Sequence, residues 1–153
     1  MLEVGRNKIL SRKLDKKITL SIGEAEHLPF DASSFDAVIV AFGVRNFENL
    51  EKGLKEIHRV LQRKGIALIL EFSKPKMRLI QYLYNWYSKS ILPILGGYIS
   101  RNKLAYEYLP RTISEFPDGE YFCNIVKSAG FDTVQWYPQT FGIASIYLAT
   151  KLR

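Results

Sequence analysis

An α/β sheet domain is the fold class that this sequence predicts, and three observations predict it. Two short continuous apolar runs, residues 35–41 and 66–70, have the length and β-branched content of strands buried on both faces. Between them, Leu50, Leu54, Ile57 and Leu61 recur at helical spacing and stop near Gly65. Strand, helix and strand in that order form a parallel pair whose crossover is right-handed. The composition agrees: 153 residues, 47% apolar and 24% charged, make an ordinary folded domain and exclude disordered and fibrous classes.

The remaining elements follow in chain order. Residues 2–14 read as a charged helix with Leu2, Ile9 and Leu10 as sparse apolar anchors. Residues 17–22 alternate polar and apolar side chains and read as a strand. After Glu71, the residues Leu79, Ile80, Leu83, Tyr84, Tyr87 and Ile91 share one helical face until Pro93 and Gly96-Gly97 break it. A second amphipathic helix spans 118–129, with Phe122, Ile125, Val126 and Ala129 inward and Gly130 just past its end. Two last strands, 131–137 and 143–149, are joined so closely that they predict an antiparallel hairpin at the sheet edge.

Charge and cysteine content narrow the function classes. A single cysteine, Cys123, leaves no internal disulfide framework and no multi-thiolate zinc site, and no metal site is expected. No signal-peptide pattern and no run of 18 apolar residues occurs, so the expectation is a cytoplasmic protein, peripheral to a membrane at most. The net charge of +7 is concentrated in two blocks. Residues 1–20 carry six basic and two acidic groups, and residues 74–104 carry six basic groups and no acidic one. No nucleic-acid motif accompanies that charge, and no nucleic-acid partner is expected. His27 reads as a turn residue, His58 as a partly buried packer beside Ile57, and Cys123 as a packing residue.

Ligands of open α/β sheets bind beyond the carboxyl ends of the strands, so those ends hold the candidate site. Glu24, one residue past Gly23, is placed to accept from an exocyclic amino group or a ribose hydroxyl. Arg45 brings a permanently charged, forked guanidinium suited to an oxyanion, or alternatively a structural ion pair with Glu48 or Glu71. Asn46 either faces the same ligand or caps the following helix.

The stretches GEAEHLPF, SSFDAVIVAFGVRNF, RVL, ILEFSKP, YEYLP and GIASIY resemble the S-adenosylmethionine-dependent C-methyltransferases of menaquinone and ubiquinone biosynthesis, from about Met1 to Lys151. The resemblance implies a Rossmann-like class I methyltransferase sheet with strands 3–7 present, strands 1–2 absent and an antiparallel C-terminal hairpin. It implies S-adenosylmethionine as methyl donor, with Glu24 and the backbone of Ala25 at the adenine and Ala41 and Phe42 lining the methionine portion. Arg45 and Asn46 are implied to face the quinol ring as the catalytic pair, Arg45 stabilising a phenolate or acting through a water. Glu24 stands where the family usually has an aspartate, Gln62-Arg63-Lys64-Gly65 where it usually has a lysine-proline-glycine-glycine turn, and Thr112 where it usually has a serine.

The family's glycine-rich turn and ribose-binding acid have no counterpart in these 153 residues, and no Gly-x-Gly pattern occurs. The expectations are that the chain is a truncated methyltransferase domain over 1–153 and that, on its own, it binds the cofactor poorly and does not turn over. Its alternative is a non-catalytic dimerising or membrane-surface module. A sheet lacking its first two strands exposes an apolar edge at 37–41, expected either to close on the 17–22 strand or to be covered by a second copy in a homodimer. Residues 74–110 are expected to be an inserted helical segment, either a lid over a prenylated quinol or a contact with an anionic membrane surface.

Overall fold

The computed structural model describes residues 2–78, 80–82 and 103–152. Its centre is β2 (Leu61–Phe72), the longest strand, whose sequence alternates between a helix-covered and a more open face. Strand β1 (Phe35–Ala41) pairs with it in parallel, from Ala37 opposite Ile66 to Ala41 opposite Leu70. The crossover helix α2 (Leu50–Val60) confirms the strand–helix–strand unit. Its N-cap is Asn49, whose side chain accepts from the Lys52 amide at 2.9 Å, so Asn46 does not cap it. Leu61 is the C-cap and opens β2, because its backbone turns extended there.

Downstream, α3 (Lys103–Glu115) carries Pro110 inside it, α4 (Gly119–Ser128) follows, and the antiparallel hairpin of β3 (Thr133–Gln139) and β4 (Ala144–Thr150) closes the chain. Strand β4 inserts antiparallel between β2 and β3, giving the order β1-β2-β4-β3 among the described residues. The expected hairpin is therefore present, with β3 as the outer strand.

The core lies on one face of this sheet. Leu54 and Ile57 of α2 and Phe122 and Val126 of α4 pack against Ala67 and Ile69 of β2 and Tyr147 and Ala149 of β4, all buried. Phe122 meets Tyr147 edge-on at 4.7 Å and lies tilted against Phe116 at 5.0 Å. His58 packs edge-on against Phe131, and Cys123 is buried beside Phe122; both are packing residues as expected. Burial pushes the Cys123 thiol up and the His58 imidazole down from their ordinary values.

Three expectations need correction. The apolar runs are not buried on both faces: Val38 and Val40 turn toward the helices, but Ile39 remains 71% exposed on the other side. No described helix covers that side, and α1 (Leu2–Ser11) has no buried residue, with its anchor Leu10 exposed. Residues 17–22 are not a strand. They run without a ladder partner, and Ile22 is 81% exposed, because alternation alone cannot hold a strand that no neighbour pairs with. The sheet consequently does not close on 17–22, and β1 ends it with an open edge. The expected helix over 79–91 and most of the 74–110 insertion lie outside the described residues.

The turn before the central part of β2 shows how a sequence departure is absorbed. Lys64 takes a left-handed φ of 66°, the conformation glycine adopts most cheaply, and its N–H donates to the Lys151 carbonyl at 2.7 Å. Gly65 has no room for a Cβ, which would sit 2.8 Å from the Gln62 carbonyl oxygen. The pairing of β1 with β2 shifts register at this point, so the kink is built into the sheet.

Candidate active site

The chain leaves β1 through Phe42, whose φ of 53° turns it sharply, and enters a single 3-10 turn over Val44–Asn46. Val44 is buried beneath the turn and anchors it to the core. The turn therefore presents Arg45 and Asn46 at the carboxyl end of the parallel strands, where the sequence placed them.

Arg45 is held almost rigidly. Its Nη1 donates to Glu71 Oε1 at 2.7 Å and to the Phe42 carbonyl at 2.7 Å, and its backbone N–H donates to Glu71 Oε2 at 3.3 Å. Glu71 is fully buried at the end of β2 and also accepts from the Phe72 N–H at 2.8 Å. Its carboxylate thus receives donors on both oxygens and serves as a clamp. The ion pair with Glu71, one of two partners the sequence offered, is formed. The guanidinium lies 5.3 Å from the centre of the Phe72 ring, and Phe72 tilts against Phe42 at 4.5 Å.

One atom of this clamp has nothing to bond. Arg45 Nε is buried and unpartnered among the described residues, in a side chain only 10% exposed. A buried donor without an acceptor is costly and rare in folded proteins. Beside it, Asn46 Oδ1 accepts from the Tyr108 hydroxyl at 3.0 Å, which brings α3 down onto the 3-10 turn. Phe72 and Tyr108 have no role assigned from the sequence, and Glu71 enters there only as one of two alternative ion-pair partners of Arg45. The signal was present in the LEFSKP and YEYLP stretches that contain them, but only the fold shows that both meet at Arg45 and Asn46.

The other predicted residues sit nearby but are held differently. Ala41 and Phe42 are at the end of β1, exposed on its outer side. Glu24 is exposed on a turn closed by a bridge to His27, and Ala25 is half-buried behind it. That loop is pinned to α2 from below: Glu26 accepts from the Asn49 N–H at 3.1 Å, and Glu56 accepts from the Leu28 N–H at 2.9 Å. Arg59 completes the clasp, bonding Glu56 and the carbonyls of Leu28 and Phe30. The Arg59 guanidinium, followed by the Leu28 amide, holds the Glu56 carboxyl down at about 2. The Asn49 amide likewise lowers Glu26. The structure thus brings Arg45, Asn46, Ala41 and Phe42 together and leaves Glu24 and Ala25 on a separately tethered loop.

The sequence profile of the ubiE/COQ5 methyltransferase family matches residues 1–151, nearly the whole chain. The chain belongs to that family. A demethylmenaquinone methyltransferase of Bacteroides fragilis is 43% identical over 151 residues, covering 99% of this chain and 62% of the relative. A ubiquinone/menaquinone biosynthesis C-methyltransferase UbiE of Citrifermentans bemidjiense is 42% identical, covering 99% of this chain and 64% of the relative. The chain therefore spans a little under two thirds of the length of the curated relatives it matches.

Solved structures show the fold. A putative S-adenosyl-L-methionine-dependent methyltransferase of Methanococcus maripaludis aligns with a TM-score of 0.62 at 17% identity, covering 99% of this chain and 62% of that one. The trans-methyltransferase CalH, in complex with SAH, aligns with a TM-score of 0.59 at 18% identity, covering 93% of this chain and 38% of that one. The α/β class and the methyltransferase sheet expected from the sequence are thereby established for the described strands.

Proposed function

We propose that this chain carries the quinol-facing portion of an S-adenosylmethionine-dependent C-methyltransferase acting on a prenylated quinol, a precursor of menaquinone or ubiquinone. The observation that carries the reading is the Arg45 guanidinium clamped by buried Glu71 at the strand end, with an Nε that has no partner among the described residues. A cation so fixed at a strand end is oriented to meet a ligand oxygen. The relatives' names supply the substrate class.

S-adenosylmethionine, when bound, supplies a methyl on a sulfonium that is already an activated leaving group. The residues present fit one flank of it: an exposed carboxylate at Glu24, the backbone of Ala25, and the small Ala41 beside Phe42 at the strand end. What this chain does for the reaction is bind and orient the ring. Arg45 stabilises negative charge on the phenolic oxygen, which makes the adjacent ring carbon nucleophilic. Because Glu71 and the Phe42 carbonyl hold Nη1, the guanidinium needs no reorganisation as that charge develops. Asn46 and Tyr108 form the second polar contact, one on the turn and one on the helix above it.

Two finer expectations belong to the same reading. The basic segment after Glu71 contacts an anionic membrane surface, supported by exposed Met77 and Tyr82 near Arg78. Lys74 is turned inward instead, onto the carbonyls of Ser114 and Phe116. The open edge of β1 with exposed Ile39 is covered by a second copy in a homodimer. A sedimentation experiment that finds only monomer at high concentration rejects the dimer.

The ring reading is tested by titrating a tail-free demethylated naphthoquinol, kept reduced, into the chain and into Arg45→Ala. Binding at least tenfold weaker in Arg45→Ala is expected, with label from methyl-labelled S-adenosylmethionine appearing on a ring carbon in the full-length context of the relatives. Equal binding by the two proteins sinks the assignment.

A further inference from the structure

A cleft of about 510 Å³ opens on the other side of the β2 end from Arg45, between the start of α4 and the loop joining β3 to β4. That volume is in the range of pockets that bury a small organic molecule. Its floor is the indole of Trp136, and its rim carries Met77, Tyr121, Pro138 and Phe141.

The two serine hydroxyls and the indole N–H in its wall are already satisfied, and its other polar lining residues include Lys74, Asp118 and Glu120. Trp136 Nε1 donates to Ser145 Oγ at 2.9 Å, Ser145 Oγ donates to Ser73 Oγ at 2.9 Å, and Ser73 Oγ donates to the Gly142 carbonyl at 2.9 Å. This relay uses up both serine hydroxyls and fixes the indole edge, leaving the ring to offer apolar surface. Gly119 permits the close approach, since a Cβ there would lie 3.2 Å from the Trp136 ring. Lys76 caps another part of the indole at 4.9 Å, while the second lysine of the lining, Lys74, is tied to the Ser114 and Phe116 carbonyls and to Asp118.

The rim is built at a cost. Thr140, Phe141 and Gly142 have φ of 47°, 57° and 89°, three successive residues in the left-handed region that suits only the glycine. Phe141 is held in that conformation with its ring 74% exposed. The Ser73 N–H donating to the Ile143 carbonyl at 2.9 Å pins the loop to the end of β2. Strain that keeps an aromatic ring out of the core and over a cleft points to a ligand-facing role.

We propose that this cleft binds the isoprenoid chain of the substrate. The inference rests on the quinol reading above and extends it. Ser73, in the cleft wall, follows Glu71, the clamp of Arg45, by two residues, roughly 7 Å at extended-chain rise. One end of β2 therefore joins a fixed cation at Arg45 to a largely apolar cleft. That pair of surfaces suits an amphiphile with a phenolic ring and a hydrocarbon tail.

The test uses the 153-residue chain with Trp86→Phe, so that Trp136 is the sole indole, titrated with geranylgeraniol, an isoprenoid without a ring. A saturable change in Trp136 emission is expected, weakened at least tenfold by Phe141→Ala and by Met77→Ser. Both substitutions are at exposed side chains, so each variant keeps the fold. No saturable change, or an unchanged affinity in both variants, overturns the proposal. So does an equal response to phosphatidylglycerol vesicles lacking isoprenoid that competes with the probe, because the face is then a membrane contact. The tail-free quinol titration of Arg45 reports separately: ring binding without isoprenoid binding rejects the cleft alone, and isoprenoid binding without ring binding rejects the Arg45 assignment alone.

Discussion

The end of β2 around Arg45 and the segment from Lys17 to Phe30 sit side by side, yet they are held by opposite means. At Arg45 the support comes from the sheet: Glu71 is buried in the central strand, Val44 is in the core, and both Glu71 oxygens accept hydrogen bonds. The 17–30 segment has no strand partner among the described residues, leaves Ile22 exposed, and is tethered chiefly by its own Glu26 reaching the Asn49 amide and by Glu56 of α2 reaching the Leu28 amide. The difference teaches that position at a strand end is not enough to build a site. A rigidly held side chain needs a buried anchor, whereas a surface clasp holds a loop only while its charges persist.

The contrast breaks most visibly at Glu71. Glu71→Ala leaves the Arg45 guanidinium buried without its carboxylate, and a loss of about 3–5 kcal/mol is expected from urea unfolding. A loss under about 1 kcal/mol shows that the clamp does not hold the turn.

A matched pair of isoleucines sharpens the same comparison. Ile69→Ala, in the buried face of β2, is expected to cost about 2–5 kcal/mol. Ile22→Ala, at an exposed position without a ladder, is expected to stay within about 0.5 kcal/mol. Similar costs at the two positions show that 17–22 packs as a real strand in solution.

Acid loosens the tether of the 17–30 segment. Glu56 ionises at about 2 in the folded chain against an ordinary value of 4.5. In between, the unfolded chain binds more protons, so the stability Glu56 contributes is complete above pH 4.5 and falls away as pH drops toward 2. Urea midpoints measured across that window are expected to slope less in Glu56→Gln, and an unchanged slope removes Glu56 from the clasp.

The smallest effect is a gain. Lys64→Gly relieves a left-handed φ of 66° and is expected to raise stability by about 0.5–1 kcal/mol in the same unfolding measurement. A loss there shows that the lysine side chain contributes more than its backbone strain costs.

Much of the architecture was readable from local pattern. The βαβ unit, the 118–129 helix with Gly130 beyond it at φ 115°, and the terminal hairpin each rest on periodicities or breakers within one element. The roles of His58 and Cys123 as packers were readable for the same reason. The strand at 17–22 was misread because alternation states only what a strand would bury, and a ladder also requires a neighbour. Asn46 is a plausible cap by residue type, but the cap is Asn49, because Asn46 ends the 3-10 turn that buried Val44 anchors.

By itself, the sequence determined the α/β class, the family, and that Arg45 and Asn46 stand at a strand end, since each follows from residues close together in the chain. Only the tertiary structure decided that Glu71 clamps Arg45 across 26 positions and that Tyr108 reaches Asn46 across 62. It also decided that Ser73, Trp136 and Ser145 wall one cleft. Those are long-range contacts between elements, and no local periodicity specifies which side chains two packed elements bring together.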